Sequence, residues 1–316
     1  ILAAFEHEFQ LKSPSGHLGE GFGRTGFEQQ RELCETIITQ IDAAGLKSDS
    51  IMKEYGPEQY EVVIGPEEAM RAADAAVIVR EIVRSSARHL GEEATFAPIR
   101  DPSSVGNGVH IHISFRDANG LSKTYDPDGN CGMSSLTDSF AAGVLKYLDS
   151  ILAMTAPSAI SYLRLTPHRW SAAYNNLGFL DREASLRICP VTSRDPFSVA
   201  DQFNIEYRAA DAAACPHLAL AAIVHAGVQG IEEGLRSPEP TAEDLSLLPP
   251  DKLIERGFIR LPQNLDAALN CMNLNKTLRG WFGDQFVDVY LAHKHSEMEH
   301  VKNMDDLARC AEYGRT

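Results

Sequence analysis

Charged residues and histidines recur at every second position on several short apolar segments of the chain. Three such pairs are Glu6 and Glu8, His110 and His112, and Glu206 and Arg208. Side chains at positions i and i+2 of a β-strand share a face, so each pair is predicted to point in one direction. In VHIHIS (109–114), the intervening valine and isoleucines would then anchor the strand to an apolar core.

Two interpretations of these charged faces are open. A one-sided antiparallel sheet often exposes polar residues to water, and this explains any single strand well. The residue types favour a metal site, because carboxylates dominate these strands and lysines are rare. The carboxylate set is Glu6, Glu8, Glu54, Glu61 and Glu206. Such a concentration repels itself unless a cation is present, and oxygen ligands with an occasional imidazole suit Mg²⁺ or Mn²⁺.

Four arginines accompany the carboxylates along the same part of the chain. They are Arg164, Arg182, Arg187 and Arg208. The planar guanidinium group binds carboxylate and phosphate in a bidentate manner. Divalent metals and arginines around one cavity indicate phosphoryl transfer. The triplet Gly106-Asn107-Gly108 would by itself indicate only a turn.

Apolar periodicity predicts an alternation of strands and helices. Strands are predicted at 2–9, 51–54, 60–64, 108–115, 185–188 and 204–208. Helices are predicted at 27–44, 66–90, 135–155 and 212–235, and two further helices are expected near the end of the chain.

Size and charge exclude several classes of protein. The chain has 316 residues, 44% of them hydrophobic, and a net charge of -15, so it is a globular protein for which we expect no nucleic-acid partner. No apolar run is long enough for a membrane span, and the six cysteines lack C-x-x-C spacing. A cytoplasmic protein with reduced thiols is predicted. Because the first residue is Ile1, we expect a piece of a longer protein.

Six segments, in order, resemble the signature segments of glutamine synthetases. They are EHEF (6–9), EYGPEQYE (54–61), GNGVHIHIS (106–114), SYLRL (161–165), REASLRICP (182–190) and EYRAADAAACPHL (206–218). The resemblance implies an α+β fold over residues 1–316, with an antiparallel β half-barrel lined by metal ligands and wrapped by α-helices. It also implies a small N-terminal β-grasp domain, absent from this chain, and a homo-oligomer of stacked hexameric rings.

The resemblance further assigns roles to individual residues. One metal would be bound by Glu8, Glu54 and Glu61, and a second by Glu6, His110 and Glu206. Glutamate would be bound by Arg164, Arg208, Glu54 and the backbone of Gly106. ATP would be contacted by His112, Ser114, Arg187 and Asp49. The catalytic set would be Arg182, Arg187, Arg208 and Trp170. The reaction implied forms γ-glutamyl phosphate from glutamate and ATP, and an amine or ammonia then displaces phosphate.

The chain departs from the family pattern after Arg164. Members that use ammonia usually carry a glutamate where this chain has Trp170 in the segment PHRW. An indole cannot accept a proton, but its face can hold an ammonium group or an apolar amine substituent. Three hypotheses therefore remain: a ligase for alkyl or aryl amines, a strict glutamine synthetase that uses ammonia, and a paralogue without catalysis.

Overall fold

The computed structural model describes residues 1–12 and 21–314. Its strands, within these residues, are β1 (Leu2–Leu11), β2 (Ser48–Lys53), β3 (Gln59–Ile64), β4 (Glu67–Glu68), β5 (Ala94–Thr95), β6 (Val109–Ser114), β7 (Leu177–Phe179), β8 (Leu186–Ile188) and β9 (Ile205–Ala210). Its helices are α1 (Arg24–Gln29), α2 (Arg31–Ala43), α3 (Ala69–His89), α4 (Ser135–Thr155), α5 (Ser161–Arg164), α6 (Pro196–Gln202), α7 (Pro216–Glu232), α8 (Pro250–Glu255), α9 (Leu265–Leu274), α10 (Lys276–Phe282), α11 (Asp284–Val301) and α12 (Asp306–Tyr313). The chain is therefore an α+β protein. No helix in the described part is long and apolar enough to cross a membrane.

The strands form one open sheet in the order β2-β3-β1-β6-β9-β8-β7, and β4 and β5 also pair with β1. All pairs are antiparallel except β7 with β8, so the expectation of a wholly antiparallel sheet is wrong at that edge. Between them the chain turns at Leu180, whose φ is 64°, and folds back so that Ala184 lies beside Gly178. This short return brings β8 alongside β7 in the same direction.

The alternation in β1 and β6 places one face of the sheet on the apolar core. Val109, Ile111 and Ile113 of β6 are each at most 4% exposed, and Phe5 and Phe9 of β1 are also buried. This confirms the predicted apolar face of VHIHIS. Helix α3 packs on β1, and α4 packs on β9. The opposite, polar face of the sheet carries the charged residues of the candidate site.

Helices α4 and α7 approach each other closely through small residues. A Cβ atom on Gly143 would lie 2.3 Å from the carbonyl oxygen of Ala226, and one on Gly227 would lie 2.1 Å from the ring of Phe140. Only glycine fits such a contact without moving the backbone. Because α4 supports β9 and precedes α5, this packing fixes the strand and the helix that carry two of the candidate arginines, Arg208 and Arg164.

Several predicted helix boundaries differ from the structure. The helix expected at 27–44 is interrupted at Gln30, which leaves helical geometry with φ -117° and donates a side-chain hydrogen bond to Glu92. The helix expected from residue 66 begins at Ala69, because Glu67 and Glu68 pair with β1. The helix expected from residue 212 begins at Pro216, after a turn closed by Asp211. The segment 265–313 forms four helices where two were expected.

Candidate functional site

A cavity of about 700 Å³ opens over the polar face of the sheet. Thirteen of the fifteen residues predicted from the sequence line it. They are Glu6, Glu8, Glu54, Glu61, Gly106, His110, His112, Arg164, Trp170, Arg182, Arg187, Glu206 and Arg208. The structure therefore brings together residues separated by as many as 202 positions. Ser114 and Asp49 are not among the described residues that line the cavity.

The register of the sheet explains why the charged residues converge. On β1, Glu6 lies opposite His110 of β6, and Glu8 lies opposite Glu61 of β3. On the other side of β6, His112 lies opposite Glu206 of β9. Directly opposite residues on neighbouring strands have Cβ atoms about 5 Å apart, so their polar atoms can reach one another.

Two groups of these side chains have ligand atoms within 4.8 Å of one another. One group is Glu6, His110 and Glu206, and the other is Glu8, Glu61 and His110. The group of Glu6, His110 and Glu206 is the set that was predicted to bind the second metal. The other group contains Glu8 and Glu61, which are two of the three residues predicted to bind the first metal. Glu54 belongs to neither group in the described residues, and one of its oxygens accepts the backbone N–H of Tyr55.

Two carboxyl groups of the cavity have raised pKa values because they are buried close to other carboxylates. Burial and the carboxylates of Glu6, Glu8, Glu54 and Glu206 raise the pKa of Glu61 to about 9. Burial and Glu8 raise the pKa of Glu54 to about 7. A divalent cation would relieve this repulsion, and carboxylates with an imidazole are the donors that Mg²⁺ and Mn²⁺ accept. The residues present therefore fit the predicted metals.

The pKa of Glu206 is lowered, because its carboxylate lies beside an arginine and two histidines. Burial opposes its ionisation, but Arg208, His110 and His112 together lower its pKa to about 2. Its carboxylate accepts from Arg208 and, at 3.1 Å, from Nη1 of Arg187, and it lies 3.3 Å from Nδ1 of His110. Glu206 thus connects the carboxylate cluster to the arginines.

Arg164 lies almost fully buried beneath the glycine loop at 106–108. Its Nη2 donates to the carbonyl oxygen of Ala210 at 3.1 Å, but its Nη1 has no hydrogen-bond partner among the described residues. A Cβ atom on Gly106 would lie 2.9 Å from the Arg164 side chain, and one on Gly108 only 2.5 Å from Nη2. The two glycines therefore make room for the guanidinium group, whose free nitrogen can bind an anion.

Arg208 is held by the backbone of two loops, one of which contains Trp170. Arg208 donates to the carbonyl oxygens of Arg182 and Trp170, at 3.1 and 3.4 Å. Arg187 has a buried Nε without a partner in the described part of the chain. A buried donor without a hydrogen-bond partner lowers the stability of the folded protein, so the Nε–H of Arg187 is suited to donate to an anionic ligand.

Both ring nitrogens of His112 lie close to polar side chains. Its Nε2 lies 2.9 Å from Glu6, and its Nδ1 lies 2.8 Å from the side-chain oxygen of Asn204. Cys189 is also near, with its sulfur 3.5 Å from Nδ1. Asn204 and Cys189 both line the cavity, and sequence reasoning did not assign Cys189 to the site.

The two predicted residues outside the cavity wall lie on strands that extend past it. Ser114 is the last residue of β6 and pairs with Leu2, four residues from His110 along the strand. Asp49 is an exposed residue of β2, the edge strand of the sheet. The family resemblance predicted that Ser114 contacts ATP, and among the described residues the lining of the cavity ends before this residue on the strand.

Two further contributors to the site were missed. Gln59 donates to Glu8 at 3.2 Å and to the carbonyl oxygen of Gly106 at 2.9 Å, so it joins the carboxylate cluster to the glycine loop. Tyr55 lies against Trp170, with ring centroids 4.2 Å apart and nearly perpendicular planes. The sequence could have indicated a place for Tyr55 in the site, because Tyr55 directly follows the predicted ligand Glu54.

Comparison with known proteins gives one family. The family model described as glutamine synthetase, catalytic domain, matches residues 5–310. The γ-glutamylpolyamine synthetase of Streptomyces coelicolor is 34% identical over 298 residues, which cover 93% of this chain and 62% of that protein. Type-1 glutamine synthetase 1 of Dictyostelium discoideum is 32% identical over 87% of this chain and 53% of that protein. The chain thus spans between about half and two thirds of the length of these relatives.

Solved structures show the same fold. A crystal structure described as that of a novel glutamine synthase homolog superposes with a TM-score of 0.89 at 38% identity, covering 99% of this chain and 70% of that one. A GmaS complex with ADP superposes with a TM-score of 0.83 at 23% identity, covering 96% and 70% of the two chains.

Proposed function

Because this chain belongs to the glutamine synthetase family, we propose that it is the catalytic part of an ATP-dependent carbon–nitrogen ligase. The enzyme would join the γ-carboxylate of glutamate to an amine or to ammonia through γ-glutamyl phosphate. The observation that carries this proposal is the convergence, in one cavity, of a carboxylate and histidine cluster with four arginines. We take the polar sheet face as the metal-lined surface of the expected half-barrel.

In this proposal, the arginines bind glutamate and stabilise phosphoryl transfer. Arg164 offers an unpaired, buried Nη1, and Arg208 lies on the same wall, so together they suit the carboxylates of glutamate. Arg187 and Arg182 line the same cavity and suit the transferring phosphoryl group. Mg²⁺ or Mn²⁺ bound by the two ligand groups would bring ATP phosphates to this place and neutralise their charge.

The proposed chemistry has two steps. A γ-carboxylate oxygen attacks the γ-phosphorus of ATP, the bond to the ADP oxygen breaks, and γ-glutamyl phosphate forms. The neutral amine nitrogen then attacks the acyl carbon, phosphate leaves with the electron pair of the broken C–O bond, and a proton passes from nitrogen to phosphate. The first step turns a carboxylate, which is a poor acyl donor, into an activated one. His112 and Asn204 are the candidate contacts on the ATP side.

Glutamate-dependent ADP formation by the full-length protein tests this proposal. We expect ADP release that requires glutamate and a divalent metal, and that falls at least ~100-fold in Arg187→Gln. Arg236→Gln is the matched control, because Arg236 is exposed and pairs with Asp138 away from the cavity. ATP binding without phosphoryl transfer, with any acceptor, would instead support a paralogue without catalysis.

The strict use of ammonia is the second candidate within the same chemistry. The intact ligand groups and arginines suit either acceptor. Trp170 favours an amine, since an indole offers an apolar face and no proton acceptor. We also propose a homo-oligomer, which mass photometry of the full-length protein would detect as a multiple of the subunit mass.

A further inference from the structure

An apolar rim surrounds one side of the cavity. It consists of Phe22, Met52, Tyr55, Val105 and Trp170. Tyr55 is 55% exposed, Trp170 44% and Phe22 60%, so three aromatic rings face open space beside a strongly charged site. Large apolar side chains at the edge of a concave site commonly bind a ligand.

The rim is in direct contact with the proposed reaction centre. The carbonyl oxygen of Trp170 accepts a hydrogen bond from Arg208, and the backbone N–H of Tyr55 donates to Glu54 at 3.1 Å. The two rings meet edge to face at a centroid distance of 4.2 Å. A group held against them therefore lies next to the residues that would bind the γ-carboxylate.

Trp170 is held in a strained backbone conformation that presents its ring to the cavity. Its φ is 50°, and that of His168 is 63°, in the left-handed region that side chains with a Cβ atom avoid. Glu183 accepts the backbone N–H groups of both residues, and Arg169 donates to the carbonyl oxygen of Ser104 at 2.7 Å. Such strain persists where the surrounding contacts fix it, and it is concentrated at ligand sites.

The distribution of charge indicates what kind of acceptor fits. Five carboxylates line the cavity among the described residues: Glu6, Glu8, Glu54, Glu61 and Glu206. Four of them lie on the strands of the sheet, and Glu54 lies beside the rim. The carboxylates are therefore close to the amine nitrogen, and the rim is close to the rest of the acceptor. The rim itself offers aromatic faces and methyl groups to the rest of the molecule. Among the described residues, the five rim side chains carry no charge, and Glu183, whose carboxylate bonds to the backbone of Trp170, lines the neighbouring cavity and not this one.

We propose that the rim selects the acceptor of the ligase, and that this acceptor is a primary monoamine with an apolar alkyl or aryl substituent. The proposal rests on the proposed function, since it names the amine that takes part in the second step. The amine nitrogen lies near Glu54 and Arg208, and its substituent packs between Trp170, Tyr55 and Phe22. The bonds formed and broken are those given above, with the amide nitrogen carrying the apolar substituent.

A series of acceptors tests this inference in the full-length protein with glutamate, ATP and Mg²⁺. The series is ammonia, methylamine, butylamine, benzylamine and the diamine putrescine, and each γ-glutamyl amide is quantified by mass spectrometry. We expect kcat/KM for butylamine or benzylamine to exceed that for ammonia and for putrescine by at least ~10-fold, because each buried methylene contributes to discrimination.

Variants locate the preference on the rim. Trp170→Ala and, separately, Tyr55→Ala should each lower the ratio of kcat/KM for benzylamine to that for ammonia by ~10-fold or more. Phe197→Ala is the matched control, because Phe197 is an aromatic residue 85% exposed at the start of α6, outside the cavity. The ratio in this control should equal that of the unmodified protein.

The outcomes separate this inference from the function on which it rests. If ammonia or putrescine is the best acceptor, the inference is wrong while the ligase stands. An unchanged ratio in both rim variants also overturns it, because the rim then does not select. If no acceptor supports glutamate-dependent ADP formation, the proposed function itself fails, and the inference fails with it.

Discussion

Replacing Glu61 with glutamine should stabilise the protein when no metal is bound. In the folded protein, burial and four neighbouring carboxylates raise the pKa of Glu61 to about 9, against an ordinary value of 4.5. A carboxyl group with a raised pKa stabilises the folded state below pH 4.5, and that stability is lost as the pH rises towards 9. At about 1.4 kcal/mol per pH unit, the loss at pH 7 is about 3 kcal/mol. Glutamine has nearly the same size and no charge, so Glu61→Gln removes this loss.

Thermal unfolding at pH 7 in EDTA and in Mn²⁺ measures the effect. In EDTA, Glu61→Gln should unfold about 6 °C above the unmodified protein, by the usual relation between free energy and Tm for a chain of this size. Mn²⁺ should raise the Tm of the unmodified protein by more than that of the variant, since the cation neutralises the charge and uses Glu61 as a ligand. Glu68→Gln, an exposed glutamate on β4, is the control and should have no effect.

Two results would refute this reasoning. If Glu61→Gln unfolds at a lower temperature than the unmodified protein in EDTA, the carboxylates do not repel one another as the geometry requires. If Mn²⁺ raises both Tm values equally, Glu61 is not part of the metal site.

Three further outcomes follow from packing, charge and the proposed role of an arginine. Gly143→Val should lower the free energy of unfolding by more than ~2 kcal/mol, as measured with urea, because its side chain would meet the carbonyl oxygen of Ala226, for which a Cβ atom alone would lie at 2.3 Å. Burial raises the pKa of Asp211 to about 6, so the unmodified protein should lose stability as the pH rises from about 4 to 6. Asp211→Asn should abolish that part of the pH dependence in urea unfolding at pH 4 and 6.5. Arg164→Lys should raise the KM for glutamate ~10-fold or more in the ADP assay, because lysine cannot offer the unpaired Nη1 donor, and an unchanged KM would count against its proposed role.

The faces of the strands could be predicted from the sequence because their period is two. In β6, Val109, Ile111 and Ile113 had to share one side, so the two histidines had to share the other. The identity of the residues then indicated a metal, since five carboxylates on strands are expensive without a cation. The pairing of the strands could not be predicted. It is the register that places Glu61 opposite Glu8 and Glu6 opposite His110.

Loops limited the prediction of the rest of the site. Glu54 was predicted as a ligand of the first metal, but it lies at the end of β2, where no strand period fixes its direction, and its carboxylate bonds to the next backbone N–H. Tyr55 and Phe22 lie in loops without apolar periodicity, so their positions in the cavity wall depend on contacts distant in sequence. The left-handed φ of Trp170 depends likewise on Glu183, thirteen residues away.

In the proposed mechanism, Glu206 would connect metal binding to substrate binding. One carboxylate contacts Arg187, Arg208 and His110, and its pKa of about 2 keeps it ionised throughout the physiological range. A carboxylate has about four lone-pair sites, so it can keep an arginine while it binds a cation. A metal ion there would weaken its attraction for the guanidinium groups and leave them freer to bind phosphate or glutamate. Because Arg187 and Arg208 already contact Glu206 before the substrate arrives, part of the entropic cost of ordering their side chains on binding is avoided.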